Sequence, residues 1–180
     1  MGERKGMRKK EEKGPGLLEL RPEVVERLVE DSVRIKSSIV NRDEREKGER
    51  RLLNYGHTFG HALEKVTGVS HGEAVSVGLV MAAAISEQKG YLAREDRKRI
   101  EKLLSDLGLP LQLSCPEEKL WEALRKDKKR EGDRVHFVLL KKLGRAVVEE
   151  MSFEELEKHL SRAKGDAVIQ AKINSASLKS

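Results

Sequence analysis

NYGHTFGHALE (residues 54–64), followed by SHGEA (70–74) and the apolar run from Ala74 to Ile85, decides how this chain folds. The segment gathers three of the five histidines of the chain, Glu64 and Glu73, and a string of glycines. His57 and His61 stand one helical turn apart and face the same way. A third imidazole, His71, follows a Thr67-Gly68 turn. Ligands from a helix and from the loop it leads into are what a metal site needs. The spacing predicts a helix from about 50 to 66, with His57 in its middle and Gly68 ending it. Gly56 and Gly60 flatten one side. Each mid-helix glycine costs up to about 1 kcal/mol relative to alanine, so close approach by another backbone or a ligand is expected to compensate. Ala74 to Ser86 is apolar nearly all round and should be the buried central helix.

Working outward, a helix is predicted from Pro22 to about Asn41, with proline at a tolerated first-turn position. Val25, Leu28, Val29, Ser32, Val33 and Lys36 fall on one stripe of it. A charged connection (42–49) follows. Arg94–Leu107 is amphipathic and closes on Gly108 and Pro110. Pro116–Lys128 is another helix, anchored by Leu120, Trp121 and Leu124. The period then changes: Val135–Leu140 and Ala146–Glu150 flank Lys-Lys-Leu-Gly-Arg and read as a β-hairpin. Ser152 and Glu155 form a capping box, with Met151 and Leu156 as a hydrophobic staple. The last helix fades near Ala163, and no internal repeat is visible. The expected organisation is a disordered basic leader (1–16), a mostly α domain with one small hairpin (17–163), and a weakly structured tail (164–180).

Composition narrows the function. Among 180 residues, 38% are charged, 37% hydrophobic and only 3% aromatic, so the core is aliphatic and alanine-rich. Half of the net charge of +6 comes from the first thirteen residues, where Arg4, Lys5, Arg8, Lys9, Lys10 and Lys13 stand against Glu3, Glu11 and Glu12, a run that reads as a solvated tail. There is no aromatic interleaving of the kind that stacks bases, so nucleic-acid binding is not expected. A basic pocket for a small anionic substrate accounts for the remaining charge. The single cysteine, Cys115, allows no internal disulfide and fits a reducing cytoplasm. It reads as an inert, half-buried thiol. No signal-peptide pattern opens the chain, and the run 74–85 is too short to span a bilayer.

A catalytic zinc takes three protein ligands and keeps a fourth position open. His57 and His61 at i, i+4 could chelate one ion, as in zinc proteases. That signature places glutamate directly after the first histidine, and here Thr58 stands there. Glu64 and Glu73 remain open as ligands, as groups orienting a ligand, or as surface carboxylates.

Asn54-x-Gly56-His57-Thr58-x-Gly60-His61-Ala62-x-Glu64, then His71-Gly72-Glu73-Ala74-Val75-x-x-Gly78, resembles the signature of the 3-dehydroquinate synthase family. Ile35-Lys36-x-x-Ile39-Val40-x-x-Asp43-Glu44-Arg45-Glu46-x-Gly48-x-Arg50 is similar to the same family in register, as is Asp127-Lys128-Lys129-x-x-Gly132. The resemblance covers about residues 17–160. It implies the helical C-terminal domain of a two-domain, metal- and NAD-dependent homodimeric enzyme. That enzyme converts 3-deoxy-D-arabino-heptulosonate 7-phosphate into 3-dehydroquinate and phosphate, in the shikimate pathway.

Carried over by residue, the resemblance makes His57 and His71 zinc ligands, with cobalt as the other metal option. His61 becomes a catalytic residue on the substrate side near the phosphate, which overrides the i, i+4 pairing. Lys36 and Arg50 match basic residues that hold the anionic end of the substrate, with Lys36 also catalytic. Asn54 matches a substrate-binding amide. One of Lys128 and Lys129, with Lys129 favoured, matches a phosphate-contacting lysine. Two elements of the family pattern have no counterpart. No glycine-rich strand-turn-helix precedes residue 50, so NAD is expected on a separate N-terminal polypeptide. The family's third ligand, a glutamate in an Ala-Glu-x-x-Lys helix, should fall before residue 17, where the Lys/Glu leader stands. The rival expectations are an inactive remnant serving as a binding module, and a related cyclase making an inosose or valiolone.

Overall fold

The computed structural model describes residues 21–45, 48–128 and 134–164. Six α-helices, one 3-10 helix and a two-stranded hairpin follow one another among them: α1 Pro22–Arg42, the 3-10 helix Glu49–Asn54, α2 His57–Thr67, α3 His71–Gln88, α4 Arg94–Asp106, α5 Glu117–Lys128, β1 Arg134–Lys142, β2 Arg145–Ser152 and α6 Phe153–Lys164. The architecture is the mostly α fold with one small hairpin that the sequence predicts. The expected leader and all of the expected tail beyond residue 164 lie outside the described residues.

α3 is the centre. Being apolar on every side, it can be covered on every side. α2, α4, α6 and β1 all pack against it. Ala74, Val77, Val80, Met81, Ala82, Ala83, Ala84 and Ile85 are all buried. Two buried serines tie the helix to its surroundings. Ser86 Oγ donates to the Ala82 carbonyl at 2.7 Å and accepts from the Leu140 amide of β1 at 3.0 Å. Ser76 Oγ donates to the Pro110 carbonyl at 2.8 Å. Arg97 of α4 is buried and pairs with Glu87 at the end of α3 and with Glu101 of its own helix. The guanidinium fork satisfies both carboxylates, as a buried charge requires.

α2 meets α3 almost backbone to backbone. A Cβ on Gly78 would lie 2.0 Å from the Gly56 carbonyl oxygen and 2.9 Å from the Gly60 nitrogen. A Cβ on Gly60 would stand 3.1 Å from Cα of Val75. The expected compensation for the helix glycines is therefore another backbone. Phe59 pins the same helix from its other side, fully buried edge-on to Phe137 (5.5 Å between centroids) and Trp121 (6.2 Å).

Two sequence expectations need correction. The helix predicted from about 50 to 66 is two pieces, because Gly56 adopts φ 78° and breaks the chain direction before His57. Only glycine enters that region at low cost, and Leu79 of α3 leaves no room for a side chain there. His57 thus opens α2 instead of lying in its middle. The apolar stripe of α1 is also uncovered: Leu28, Val29 and Val33 are more than half exposed, and α1 buries no residue. Among the described residues its main contact is the 3-10 helix, which it also grips through a two-pronged ion pair from Arg42 to Glu49. The hairpin, the closing capping box (Ser152 N to Glu155 Oε2 2.7 Å, Glu155 N to Ser152 Oγ 3.1 Å) and the buried pair Met151 and Leu156 match the sequence reading.

Gly78→Ala should destabilise the fold by at least about 3 kcal/mol, the upper end of overpacking costs. Gly72→Ala, whose Cβ meets open space, should be neutral or stabilising by up to about 1 kcal/mol. Urea unfolding of both variants checks the contrast. A second expectation concerns His159 of α6, whose Nδ1 is buried without a partner among the described residues. Burial, with Lys89 and Arg162 nearby, lowers its pKa from the ordinary imidazole value. The unfolded chain therefore takes up this proton first as pH falls, so stability should decline below about pH 6.5. His159→Phe should flatten that decline in a pH series of thermal unfolding.

Candidate functional site

The three imidazoles of the opening segment converge. Ring centroids lie 5.5 Å apart for His57 and His61, 5.5 Å for His57 and His71, and 5.8 Å for His61 and His71. His57 and His61 follow one another along α2 at one helical turn. His71 arrives from the first position of α3. Its place is set by a capping box: Ser70 Oγ accepts from the Glu73 amide at 3.4 Å, and Glu73 Oε2 accepts from the Ser70 amide at 3.1 Å and the Ser70 hydroxyl at 2.7 Å. Glu73, left open by the sequence reading, caps α3. The Ser-x-x-Glu spacing of residues 70–73 was the available signal.

Two of the rings are held at one nitrogen. His57 Nδ1 lies 3.2 Å from the Tyr55 carbonyl oxygen. His71 Nδ1 lies 2.9 Å from Glu64 Oε2. In a neutral ring each contact places the proton on Nδ1 and leaves Nε2 with its lone pair. Tyr55 is itself packed down, its hydroxyl 3.4 Å from the Leu79 carbonyl, and burial pushes its phenol well above the ordinary range. That packing fixes the carbonyl on which His57 leans.

The spacing fits a shared ion. Zinc–nitrogen bonds of about 2.1 Å, plus about 1.2 Å from nitrogen to ring centre, put two imidazoles on a tetrahedral ion roughly 5 Å apart at their centroids. Spacing alone does not choose among the three rings. No group of three histidine, cysteine, aspartate or glutamate side chains among the described residues is arranged to hold a metal ion together. Three neighbouring imidazoles, two of them engaged at Nδ1, are the donor set on view among the described residues.

The remaining predicted residues take different positions. Lys36 is exposed on α1, four turns from the start of that helix. Arg50 is half-buried in the 3-10 helix, its amide 3.0 Å from Asp43 Oδ2 and its Nη1 2.8 Å from the Glu44 carbonyl. Asn54 ends the same 3-10 helix, exposed, three residues before His57. Lys129 lies outside the described residues. Cys115 is buried, its thiol pushed up by burial and donating to the Pro116 carbonyl, which suits the inert reading. A mostly apolar cavity among the described residues, lined in part by Leu63, Val77, Met81, Leu113 and Leu120, holds none of the imidazoles.

The sequence model of the family described as 3-dehydroquinate synthase C-terminal matches residues 3–130, more than half of the chain. The 3-dehydroquinate synthase of Nitrobacter winogradskyi is 47% identical over 137 residues, covering 68% of this chain and 36% of that protein. The 3-dehydroquinate synthase of Dehalococcoides mccartyi is 43% identical over 132 residues, covering 72% of this chain and 37% of that protein. The chain thus spans little more than a third of the length of the curated relatives it matches. Two solved structures share the fold. One is a 2-deoxy-scyllo-inosose synthase complexed with carbaglucose-6-phosphate, NAD+ and Co2+ (TM-score 0.67, 24% identity, 79% of this chain and 43% of that one). The other is the 2-epi-5-epi-valiolone synthase of Streptomyces hygroscopicus subsp. jinggangensis with NAD+ and Zn2+ bound (TM-score 0.68, 22% identity, 81% of this chain and 42% of that one).

Ser70→Ala removes the cap beneath His71. It should lower stability by about 1 kcal/mol, read by urea unfolding, and should broaden or shift the ring resonances of His71 more than those of His57.

Proposed function

This chain belongs to the 3-dehydroquinate synthase C-terminal family, and from that membership we propose that residues 17–163 form the metal- and substrate-binding part of a 3-dehydroquinate synthase. The reaction is conversion of 3-deoxy-D-arabino-heptulosonate 7-phosphate into 3-dehydroquinate with release of phosphate, a phosphate-eliminating lyase step of the shikimate pathway. The observation that supports this most is the approach of His57 and His71 with their Nδ1 atoms engaged. They are the two residues whose sequence context matches the family's metal ligands. The curated relatives at 43–47% identity are named for this reaction, whereas the inosose and valiolone synthases, at 22–24%, share the fold alone. That difference favours dehydroquinate over an inosose or valiolone as product.

In this reading His57 and His71 hold zinc, or cobalt, through Nε2. The third ligand comes from outside the described residues. NAD binds a nucleotide-binding unit outside the helical domain. When bound, the metal polarises a substrate hydroxyl and NAD takes up and returns hydride. The chain's own residues recognise charge and move protons. Lys36 and Arg50 hold the anionic end of the substrate, Arg50 with the planar fork that suits carboxylate or phosphate. Asn54 supplies an amide to a substrate hydroxyl. His61, exposed beside the two ligands, stands on the substrate side, where an imidazole exchanges protons near neutral pH. Lys129 completes the phosphate contacts. Holding these groups and the substrate together removes much of the entropic barrier to an intramolecular closure.

The test is phosphate release from the seven-carbon substrate, measured with this chain alone and then with an NAD-binding unit of the family, NAD and zinc. The expected result is turnover only in the second mixture. Turnover by the chain alone would refute the need for a partner. In the active mixture, His57→Ala should lower kcat/KM by more than about a hundredfold, since a lost ligand should exceed a lost supporting contact. His61→Ala should depress activity while leaving bound zinc unchanged. Equal loss of zinc in His61→Ala would contradict the assignment of His61 to the substrate.

A further inference from the structure

Glu64 lies on α2 one turn beyond His61, and its side chain is 40% exposed, so nothing in the packing requires a carboxylate there. It nevertheless reaches across to α3 and accepts from His71 Nδ1 at 2.9 Å. The contact joins two residues seven apart across the α2–α3 turn. It is neither an i, i+4 surface pair nor part of the capping box, which uses Ser70 and Glu73. We propose that Glu64 is a positioning residue: its carboxylate fixes the ring orientation and the tautomer of His71, so that Nε2 is presented as a ligand. The inference rests on the metal reading above and extends it to a residue that holds a ligand without touching the ion.

Three features support it. A neutral imidazole has one N–H and one lone pair, and an acceptor at Nδ1 decides which nitrogen carries which. A carboxylate behind a ligating imidazole also raises the basicity of the ring, and such partners are worth 10–100-fold in metal affinity. Finally, His71 is 54% exposed at a helix start, with little packing of its own to hold the ring, whereas His57 leans on the backbone carbonyl of a packed tyrosine. The less buried ring is the one with a side-chain carboxylate behind it.

The experiment reads the tautomer directly, by ring-nitrogen NMR of the metal-free full chain at a pH where imidazole is neutral. Wild type, Glu64→Gln and Glu64→Ala are compared, with thermal unfolding to establish that each is folded. The wild type should carry the His71 proton on Nδ1. Glu64→Ala should shift His71 toward the Nε2–H form. Glu64→Gln, whose amide oxygen still accepts, should keep most of the Nδ1–H form. His71 in the Nε2–H form in wild type, or one unchanged tautomer in all three, overturns the inference. Zinc affinity then separates it from the reading it rests on. Glu64→Ala should bind zinc roughly 10–100-fold more weakly, and Glu64→Gln should lose less. Loss of zinc binding in His57→Ala with unchanged affinity in Glu64→Ala overturns the role of Glu64 and leaves the metal reading standing. Unchanged affinity in His57→Ala overturns the metal reading, and the purpose assigned to Glu64 falls with it.

Discussion

The contact of Gly78 with the backbone at Gly56 and Gly60 is the constraint on which the rest of the site depends. Gly56 meets Leu79, Gly60 meets Val75, and Glu64 meets His71. These are successive rungs of one antiparallel helix pair, each displaced by one turn on both helices. His57 and His61 each follow a rung directly, and His71 stands on the last. Bringing two helices this close sets their register to a fraction of a turn, because a side chain on Gly78 would collide with the Gly56 carbonyl and one on Gly56 with Leu79. The register in turn sets the distance between imidazoles that arrive from different helices. Phe59, locked between Trp121 and Phe137, prevents α2 from rolling about its axis and carrying the histidines away.

Much of this was legible in residue types. Glycines at 56 and 60 in an otherwise helical stretch announced a close approach, and an all-apolar α3 announced a covered centre. The change of period after residue 134 identified the hairpin, and Ser152 with Glu155 identified the last helix start. The start of α2 was misread because periodicity treats Gly56 as one more helical position. Its left-handed conformation follows from the crowding by Leu79 in α3, a contact between segments that no local pattern contains. The same applies to the carbonyl of Tyr55 behind His57. The cap at Ser70 and Glu73 is legible in the Ser-x-x-Glu spacing of residues 70–73.

α1 leaves Leu28, Val29 and Val33 exposed, and no group of three ligand side chains is arranged around one ion among the described residues. A zinc bound by two imidazoles alone would be weakly held, since catalytic sites take three protein ligands. In the proposed function the third ligand and NAD come from outside the described residues. The basic residues assigned to the substrate, Lys36 on α1 and Arg50 on the 3-10 helix, come from two elements that pack against each other. In this reading α1 acts as the arm that carries one of them.

The central claim is that His57 and His71 share one ion through Nε2, with their Nδ1 atoms on Tyr55 and Glu64. A crystal structure of the zinc-loaded chain, with the metal located by anomalous scattering, addresses it most directly. The account predicts one ion about 2.0–2.1 Å from both Nε2 atoms, the Glu64 contact to His71 retained, and His61 outside the coordination sphere. An ion bound through either Nδ1, or held by His57 and His61 with His71 turned away, would contradict it.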